Sequence, residues 1–217
     1  MNVEQARFNM VEQQIRTWDV LDPVILSLIA TLRREQFVAP EHAALAFADL
    51  ELPLGNGEKM WTPKMEARVV QDLQLTGTES VLEIGTGGGY VTALLAARCR
   101  QVTSIEIDPA IAARAQTNLT KAGIYNAEVS VGDGMQLGVT AGAYDVVVFG
   151  GSLPVFVDAA LDWIKPDGRI FAVVGQAPAM QARVVRKNAE GSVSTRVLFE
   201  TVIAPLKGAP QPKAFTF

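Results

Sequence analysis

The sequence predicts an α/β fold with a doubly wound, mostly parallel sheet of seven strands and an N-terminal helical extension. Three observations support this prediction. Strand-like and helix-like segments alternate between residues 76 and 175, which favours a parallel sheet with crossover helices. Tyr144–Gly151 is a near-continuous apolar run, as expected of a strand covered on both faces. After residue 175 the chain returns as two strand-like segments joined by a short turn.

The chain divides into an extension and one compact unit. Residues 1–75 are predicted to form helices and loops that precede the sheet. Within them, Asn9–Trp18 and Pro23–Arg34 repeat apolar residues at helical spacing, and Asp22 is the expected cap before Pro23. Residues 76–217 are predicted to form a single compact domain.

The most informative motif lies where the first predicted strand turns into a helix. Val81–Ile84 is an apolar run, and Val91–Cys99 has the character of a helix. Between them an acid and three glycines follow the pattern E-x-G-x-G-x-G, at Glu83, Gly85, Gly87 and Gly89. Glycines let the backbone approach a ligand closely, and a helix start offers free N–H groups. A nicotinamide-binding loop would need a third glycine at Tyr90, so that fingerprint fails. A glycine turn without a ligand remains the alternative.

A second predicted strand, Gln101–Asp108, ends in two acids. A carboxylate at the tip of this strand can accept hydrogen bonds from both hydroxyls of a nucleoside ribose. The alternative is that the acids cap the next helix, which would begin at Pro109. We assign the cap to Asp108, which directly precedes Pro109, and the ribose to Glu106.

A third predicted strand, Ala127–Val131, is followed by Gly132-Asp133-Gly134. The carboxylate of Asp133 can accept a hydrogen bond from an amine, and an ordinary Asp-Gly turn is the alternative. A helix is predicted at Pro154–Ile164 and a turn at Pro166–Gly168. Three more strands are predicted at Arg169–Val174, Ala182–Lys187 and Ser194–Val202, followed by a surface tail at Pro205–Phe217.

Composition excludes several classes of function. The formal net charge of -4 over 217 residues argues against a protein built to bind nucleic acid. No apolar run is long enough to span a membrane, and the N-terminus lacks a signal-peptide pattern, so a cytoplasmic protein is expected. The single histidine, His42, makes a histidine-based metal site or triad hard to build, and no metal is predicted. The single cysteine, Cys99, is expected to serve packing.

The glycine motif resembles motif I of class I methyltransferases that use S-adenosylmethionine (SAM). Nearly the whole chain is similar to the protein-L-isoaspartate O-methyltransferase family. The segments that carry this resemblance are Met10–Arg16, Asp22–Val24, Arg34–Val38, Leu52–Gly57, Glu83–Tyr90, Glu106, Gly132–Gly134, Pro166–Arg169, Val174–Gly175 and Ile203–Leu206.

The resemblance implies a Rossmann-like methyltransferase sheet, SAM as cofactor, and a protein or peptide acceptor carrying isoaspartate. It places the substrate-side loop within residues 1–75 and the SAM-binding domain at residues 76–217. It also implies that Asp133 accepts a hydrogen bond from the adenine amino group. The oligomeric state is not predicted. The implied cofactor-binding residues are Glu83, Ile84, Gly85, Thr86, Gly87, Gly89, Tyr90, Glu106, Ile107, Asp133 and Gly134.

The acceptor site departs from the family pattern. The family usually shows Thr-Ile-Ser-x-Pro after the Gly-x-Gly loop, with the serine hydroxyl at the methyl acceptor. Here the segment is Lys59-Met60-Trp61-Thr62-Pro63, so Trp61 stands at the serine position and Thr62 beside it. We take Trp61 and Thr62 as the candidate catalytic positions, and Ser152 as another nearby hydroxyl. The alternative function is a SAM-binding relative with a different acceptor or without turnover.

Overall fold

A seven-stranded sheet forms the centre of this computed structural model, which describes residues 2–212. The strands are β1 Leu52–Gly55, β2 Glu58–Met60, β3 Ser80–Ile84, β4 Gln101–Glu106, β5 Ala127–Val131, β6 Tyr144–Leu153, β7 Ile164–Gln176, β8 Ala179–Lys187 and β9 Val193–Glu200. The order in the large sheet is β5-β4-β3-β6-β7-β8-β9, and β1 pairs with β2 as a separate antiparallel hairpin.

The large sheet is parallel from β5 to β7 and antiparallel at β8 and β9. The chain leaves β3 toward β4 and β5, then crosses to β6 on the other side of β3, so the strand order reverses beside β3. Ligands bind outside the carboxyl ends of the strands at such a reversal. The predicted doubly wound sheet of seven strands is confirmed.

Helices cover both faces of the sheet. They are α1 Val3–Met10, α2 Pro23–Thr31, α3 Pro63–Leu73, α4 Tyr90–Ala96, α5 Pro109–Lys121 and α6 Ala160–Trp163. The first continues as a π-helical turn, Val11–Ile15, and a 3₁₀ turn, Arg16–Trp18, so the predicted helix over Asn9–Trp18 lies inside one longer helical segment. Asp22 caps α2 through Val24 N–H, as predicted. Further 3₁₀ turns lie at Arg34–Gln36 and Pro40–Leu45.

Alternate residues of the central strands supply two hydrophobic cores. Val81 of β3 faces a larger core that also contains Met10, Trp61 and Met65 from the N-terminal extension. Leu82 of β3 faces a second core on the opposite side of the sheet. This alternation follows from the period of two in a strand, and it fastens the extension to one face of the sheet.

Two local predictions need correction. The helix predicted over Pro154–Ile164 is restricted to α6, because β6 runs to Leu153 and Ile164 already pairs with Tyr144 in the sheet. The predicted turn at Pro166–Gly168 is a bulge inside β7, where the register moves from Ile164 to Arg169. The predicted surface tail is mostly exposed over residues 205–212, although Pro205 also pairs with Ser152 of β6, and residues 213–217 lie outside the described part.

Candidate active site

Two adjoining cavities lie at the carboxyl ends of the central strands. The first, called here the outer cavity, has about 740 Å³ of space, part of which is open solvent. Its walls come from the turns after β3, β4 and β5, from Gly150 and Gly151 within β6, from the hairpin Leu52–Met60 with Trp61, and from the segment Ile203–Lys207, here called the strap. The second, called here the inner cavity because it reaches the buried Glu66, Glu83 and Tyr90, also opens to solvent and has about 350 Å³ of space. Its lining residues are Leu54, Lys59, Met60, Trp61, Glu66, Glu83, Gly85, Thr86, Gly87, Gly88, Tyr90, Val91 and Gly150.

The glycine turn after β3 forms the floor shared by both cavities. Gly85 has a φ of 90°, a left-handed conformation that favours glycine, and its N–H donates to Ile105 O at 2.8 Å. A Cβ on Gly85 would stand 2.9 Å from Leu206 Cδ2 of the strap. A Cβ on Gly150, within β6, would stand 2.2 Å from Gly85 O. Glycine at these two positions therefore allows the turn after β3 to lie close to β6 and to the strap.

Glu106 lies at the tip of β4, buried in the wall of the outer cavity. Its Oε2 accepts from Gly87 N at 2.9 Å, and its Oε1 accepts from Asp108 N at 3.0 Å. Asp108 caps α5 by accepting from Ala110 N and Ile111 N, which agrees with the role predicted for it. The backbone thus orients the Glu106 carboxylate at the cavity edge and leaves further lone pairs for a ligand.

Asp133 follows β5 and lies in the same wall as Glu106. Its Oδ1 accepts from Met135 N at 2.9 Å, and its Oδ2 accepts from Gln136 Nε2 at 2.8 Å. Gly134 also lines the outer cavity, and a Cβ there would stand 2.2 Å from Ile84 Cγ2. Ile84 and the partly exposed Ile107 add apolar surface between the two acids.

Glu83 lies below the glycine turn, at the base of the inner cavity. It is 1% exposed, and its Oε2 accepts from Thr92 Oγ1 at 2.5 Å and Ser104 Oγ at 2.6 Å. Burial raises the pKa of Glu83 to about 7, against the lowering effect of these two hydroxyls. Thr86 joins the same network through a 2.6 Å contact between its Oγ1 and Ser104 Oγ.

Tyr90 and Gly89 begin α4 but serve different neighbours. The Tyr90 side chain is 2% exposed and lines the inner cavity, with its ring edge-on to Phe37. Its hydroxyl has no hydrogen-bond partner among the described residues. Gly89 instead faces α5, where a Cβ would stand 3.3 Å from Ala115 O. The observed role of Gly89 is close helix packing.

Trp61 lines both cavities and is 7% exposed. Its indole packs edge-on against Phe171 of β7, with ring centroids 6.1 Å apart. Thr62 takes the N-cap position of α3, and its carbonyl accepts from Met65 N and Glu66 N. Thr62 is not among the residues that line either cavity, so of this pair of candidate positions the structure brings Trp61 to the site.

A buried ion pair that sequence reasoning missed holds Trp61 in place. Arg34 Nε donates to Glu66 Oε2 at 2.8 Å, and both side chains are 1% exposed. The same guanidinium donates to Trp61 O at 2.6 Å and Ala46 O at 2.7 Å. Burial raises the pKa of Glu66 to about 7, opposed by the Arg34 guanidinium. The two residues lie 32 positions apart, so no local pattern predicts that they pair. The helical spacing of Met65, Val69 and Leu73 predicts only α3, the helix on which Glu66 lies.

The hairpin and the strap meet across the mouth of the outer cavity. Lys207 Nζ of the strap lies 2.7 Å from Glu58 Oε1 of the hairpin. On the other side of the hairpin, Asn56 Nδ2 donates to Asp108 Oδ2 at 2.5 Å, and the Arg114 guanidinium donates to Leu54 O.

Ser152 ties the strap to the sheet rather than facing the cavity. Its N–H donates to Ala204 O, its carbonyl accepts from Leu206 N, and its fully buried hydroxyl donates to Ile203 O at 3.1 Å. The expectation that Ser152 offers a hydroxyl near the acceptor is therefore wrong. The role of the strap as a cavity wall was missed, because the contact between Ser152 and Ile203 joins residues 51 positions apart in the chain.

The described residues show no further class of site. Among them, no group of three or more His, Cys, Asp or Glu side chains is arranged to hold a metal ion. No helix within residues 2–212 is long and apolar enough to cross a membrane. Cys99 is buried, as expected for a packing residue.

Comparison with known proteins identifies the family. The model of the protein-L-isoaspartate (D-aspartate) O-methyltransferase family matches residues 5–211. The chain is 36% identical over 205 residues to a protein-L-isoaspartate O-methyltransferase of Methanoculleus marisnigri, covering 94% of this chain and 92% of that one. It is 36% identical over 201 residues to a protein-L-isoaspartate O-methyltransferase 1 of an Anaeromyxobacter species, covering 92% and 95%.

Solved structures share the fold. A Plasmodium falciparum chain described as a protein-L-isoaspartate O-methyltransferase, solved with S-adenosyl-L-homocysteine, superposes with a TM-score of 0.77 at 15% identity, covering 95% of this chain and 99% of that one. Another protein-L-isoaspartate O-methyltransferase structure gives a TM-score of 0.78 at 21% identity, covering 93% and 66%. The chain belongs to the protein-L-isoaspartate O-methyltransferase family.

Proposed function

We propose that this chain is a SAM-dependent methyltransferase that esterifies the carboxylate of isoaspartyl residues in proteins or peptides. The observation that carries the proposal is the convergence of the glycine turn, Glu106 and Asp133 on one cavity, whose opposite wall is formed by the hairpin and the strap. Family membership supplies the reaction class, and the cavity supplies a place for both the cofactor and an acceptor.

The walls of the outer cavity match the parts of SAM. Glu106 presents a carboxylate for the ribose hydroxyls, and Asp133 presents one for the adenine amino group. Ile84 and Ile107 offer apolar surface to the flat adenine ring. Gly85, Gly87 and Gly134 line the outer cavity, and a side chain at Gly85 or Gly134 would push away Leu206 or Ile84, which form its walls.

The methionine end of the cofactor fits the inner cavity. This cavity shares Gly85 and Gly87 with the outer one and continues to Glu83, Thr86 and Tyr90. Glu83 supports the turn from below through its hydrogen bonds to Thr92 and Ser104. In the proposed arrangement Gly89 acts indirectly, by letting α4 and α5 pack closely enough to shape this end.

The proposed reaction asks for positioning more than for acid–base chemistry. SAM supplies a methyl group on a sulfonium, which is already a strong electrophile. An acceptor carboxylate is ionised near neutral pH and needs no general base. The protein then has to orient the carboxylate in line and exclude water, tasks that suit the indole of Trp61 and the strap residue Leu206.

Trp61 also motivates the second candidate, a SAM-binding relative with a different acceptor. An indole offers one N–H donor and no hydroxyl, and here it fills the junction of the two cavities. If bulk and a missing hydroxyl limit isoaspartyl activity, Trp61→Ser should increase it. One neutral hydrogen bond is worth about 0.5–1.5 kcal/mol, or roughly a factor of two to ten in rate. A larger recovery would identify a steric block.

The test is methyl transfer from labelled SAM to an isoaspartyl peptide, with the matching aspartyl peptide as control. We expect transfer to the isoaspartyl peptide alone, and calorimetric binding of SAM. Binding of SAM without transfer by either the unmodified chain or Trp61→Ser would refute the isoaspartyl assignment and favour the second candidate. Equal rates for the unmodified chain and Trp61→Ser would show that the indole is harmless.

A further inference from the structure

The titratable side chains that line the two cavities are mostly acidic, although Arg34 pairs with Glu66 and burial favours the neutral form of Glu83. The acids are Glu51, Glu58, Glu66, Glu83, Glu106 and Asp133. Within residues 2–212, the cationic side chains that line either cavity are Lys59 and Lys207. An acceptor carboxylate that enters this region is repelled by the acids, so its binding depends on a nearby cation.

The two lysines are not equally available. Lys207 lines the outer cavity alone, and its Nζ lies 2.7 Å from Glu58 Oε1, where it joins the strap to the hairpin. Lys59 lines both cavities, and its Nζ lies 3.2 Å from Glu51 Oε2. The Lys59 side chain is 57% exposed, and an exposed pair of this kind contributes about 0–1 kcal/mol. An incoming carboxylate can therefore replace Glu51 at little cost.

Lys59 is placed beside Trp61. The two residues are two positions apart where β2 leaves the hairpin, and side chains two positions apart in an extended segment project to the same side. Both line the outer and the inner cavity, whereas Met60 between them lines the inner cavity alone. A cation and an aromatic wall thus stand together at the junction of the cavities.

We infer that Lys59 is the residue that selects acidic acceptors, its ammonium binding the acceptor carboxylate at the junction. This inference rests on the proposed function. In the reaction a carboxylate oxygen attacks the methyl carbon, the carbon–sulfur bond breaks, and its electron pair goes to sulfur, so an ester and a neutral thioether form without proton transfer. The ester carries no charge, so Lys59 returns to Glu51 and the product is released.

The loss of charge on the acceptor during the reaction determines whether KM or kcat should change in a Lys59 variant. The acceptor is fully anionic in the ground state and less so in the transition state, so Lys59 stabilises the bound acceptor more than the transition state. Lys59→Gln should raise the KM for an isoaspartyl peptide by about tenfold, with kcat unchanged or slightly higher. Lys59→Arg should restore most of the affinity, since it keeps the charge.

The experiment measures KM, kcat and SAM affinity for the unmodified chain, Lys59→Gln, Lys59→Arg and Lys207→Gln, with Lys121→Gln on the exposed end of α5 as a matched control. SAM affinity and melting temperature should stay constant for Lys59→Gln. The inference is overturned if Lys59→Gln leaves KM unchanged, if it lowers kcat alone, or if Lys207→Gln has the same effect.

A second measurement separates this inference from the proposed function. Peptide affinity is measured by calorimetry with S-adenosylhomocysteine in place of SAM, where no turnover occurs. If the unmodified chain binds the isoaspartyl peptide but does not methylate it, the proposed reaction fails, and a tenfold loss of affinity in Lys59→Gln still supports the role of Lys59. Absence of peptide binding to the unmodified chain overturns both.

Discussion

The two walls of the cavity are held in place by different forces. On the sheet side, Glu83 and Glu106 are buried and accept hydrogen bonds from neighbouring hydroxyls or backbone N–H groups. On the opposite side, the hairpin and the strap meet through the partly exposed pair Glu58–Lys207. Buried, satisfied networks are rigid, whereas exposed pairs contribute little free energy. We therefore expect the sheet side to stay fixed and the contact between the hairpin and the strap to be the part that yields during exchange.

The largest expected effect concerns the buried Arg34–Glu66 pair, which holds the backbone of Trp61 at the end of the hairpin. Arg34→Ala should lower the free energy of unfolding by about 3–5 kcal/mol, because it leaves Glu66 buried without its partner and frees the Trp61 carbonyl. Urea unfolding measures this. Arg33→Ala, at the exposed preceding position, is the matched control and should change stability by less than about 0.5 kcal/mol. Similar losses for both variants would show that the buried pair is not a special anchor.

The next effect is a pH dependence on the sheet side. Since the folded protein holds the Glu83 proton more tightly than the unfolded chain, this group's contribution to stability is complete below about pH 4.5 and is lost as the pH rises to about 7. The limit of the loss is about 3 kcal/mol. Glu83→Gln keeps an acceptor oxygen and cannot ionise, so it should gain stability relative to the unmodified chain between pH 5 and pH 8.

Urea unfolding at several pH values tests this, with Glu128→Gln on exposed β5 as control. A constant stability difference between Glu83→Gln and the unmodified chain across this range would mean that Glu83 titrates normally and that the sheet side is less dry than the structure indicates.

Cofactor affinity gives the third effect. Glu106→Ala should weaken SAM binding by about 1.5–3 kcal/mol, roughly 10- to 150-fold in Kd, if the carboxylate holds the ribose through charge-assisted hydrogen bonds. It also leaves Gly87 N–H without its acceptor. Isothermal titration measures the affinity, and Glu128→Ala serves as control. Unchanged affinity would remove Glu106 from the cofactor site.

The smallest effect belongs to the exposed pair. Lys207→Ala should raise the dissociation rate of S-adenosylhomocysteine by no more than about fivefold, because such pairs contribute about 0.2–1 kcal/mol. Stopped-flow fluorescence can follow this through Trp61, which lines the cavity. The difference should shrink at high salt, and Glu58→Ala should match it. If neither Lys207→Ala nor Glu58→Ala changes the dissociation rate, contacts other than this pair hold the hairpin and the strap together.

The sequence allowed the sheet side to be predicted because its signals are local. The glycine turn, Glu106 and Asp133 each follow an apolar strand within a few residues, so topology alone brings them together. The opposite side depends on contacts between distant residues. The Arg34–Glu66 pair and the Ser152–Pro205 bridge join segments that no local pattern connects. The predicted helix over Pro154–Ile164 failed for the same reason, because pairing with Tyr144 drew Ile164 into β7.

The position of the strap in the chain determines at which stage of synthesis the outer cavity can form. The outer cavity takes residues from Glu51 to Lys207, and its last wall, Ile203–Lys207, follows every strand of the sheet in the chain. During synthesis, the nascent chain can therefore form β3, β4 and β5 with Glu106 and Asp133 in place while Leu206 is still inside the ribosome. Until that residue emerges, the floor of the site faces water on the side that the strap later covers. The outer cavity can thus be complete only after residue 207 has left the ribosome.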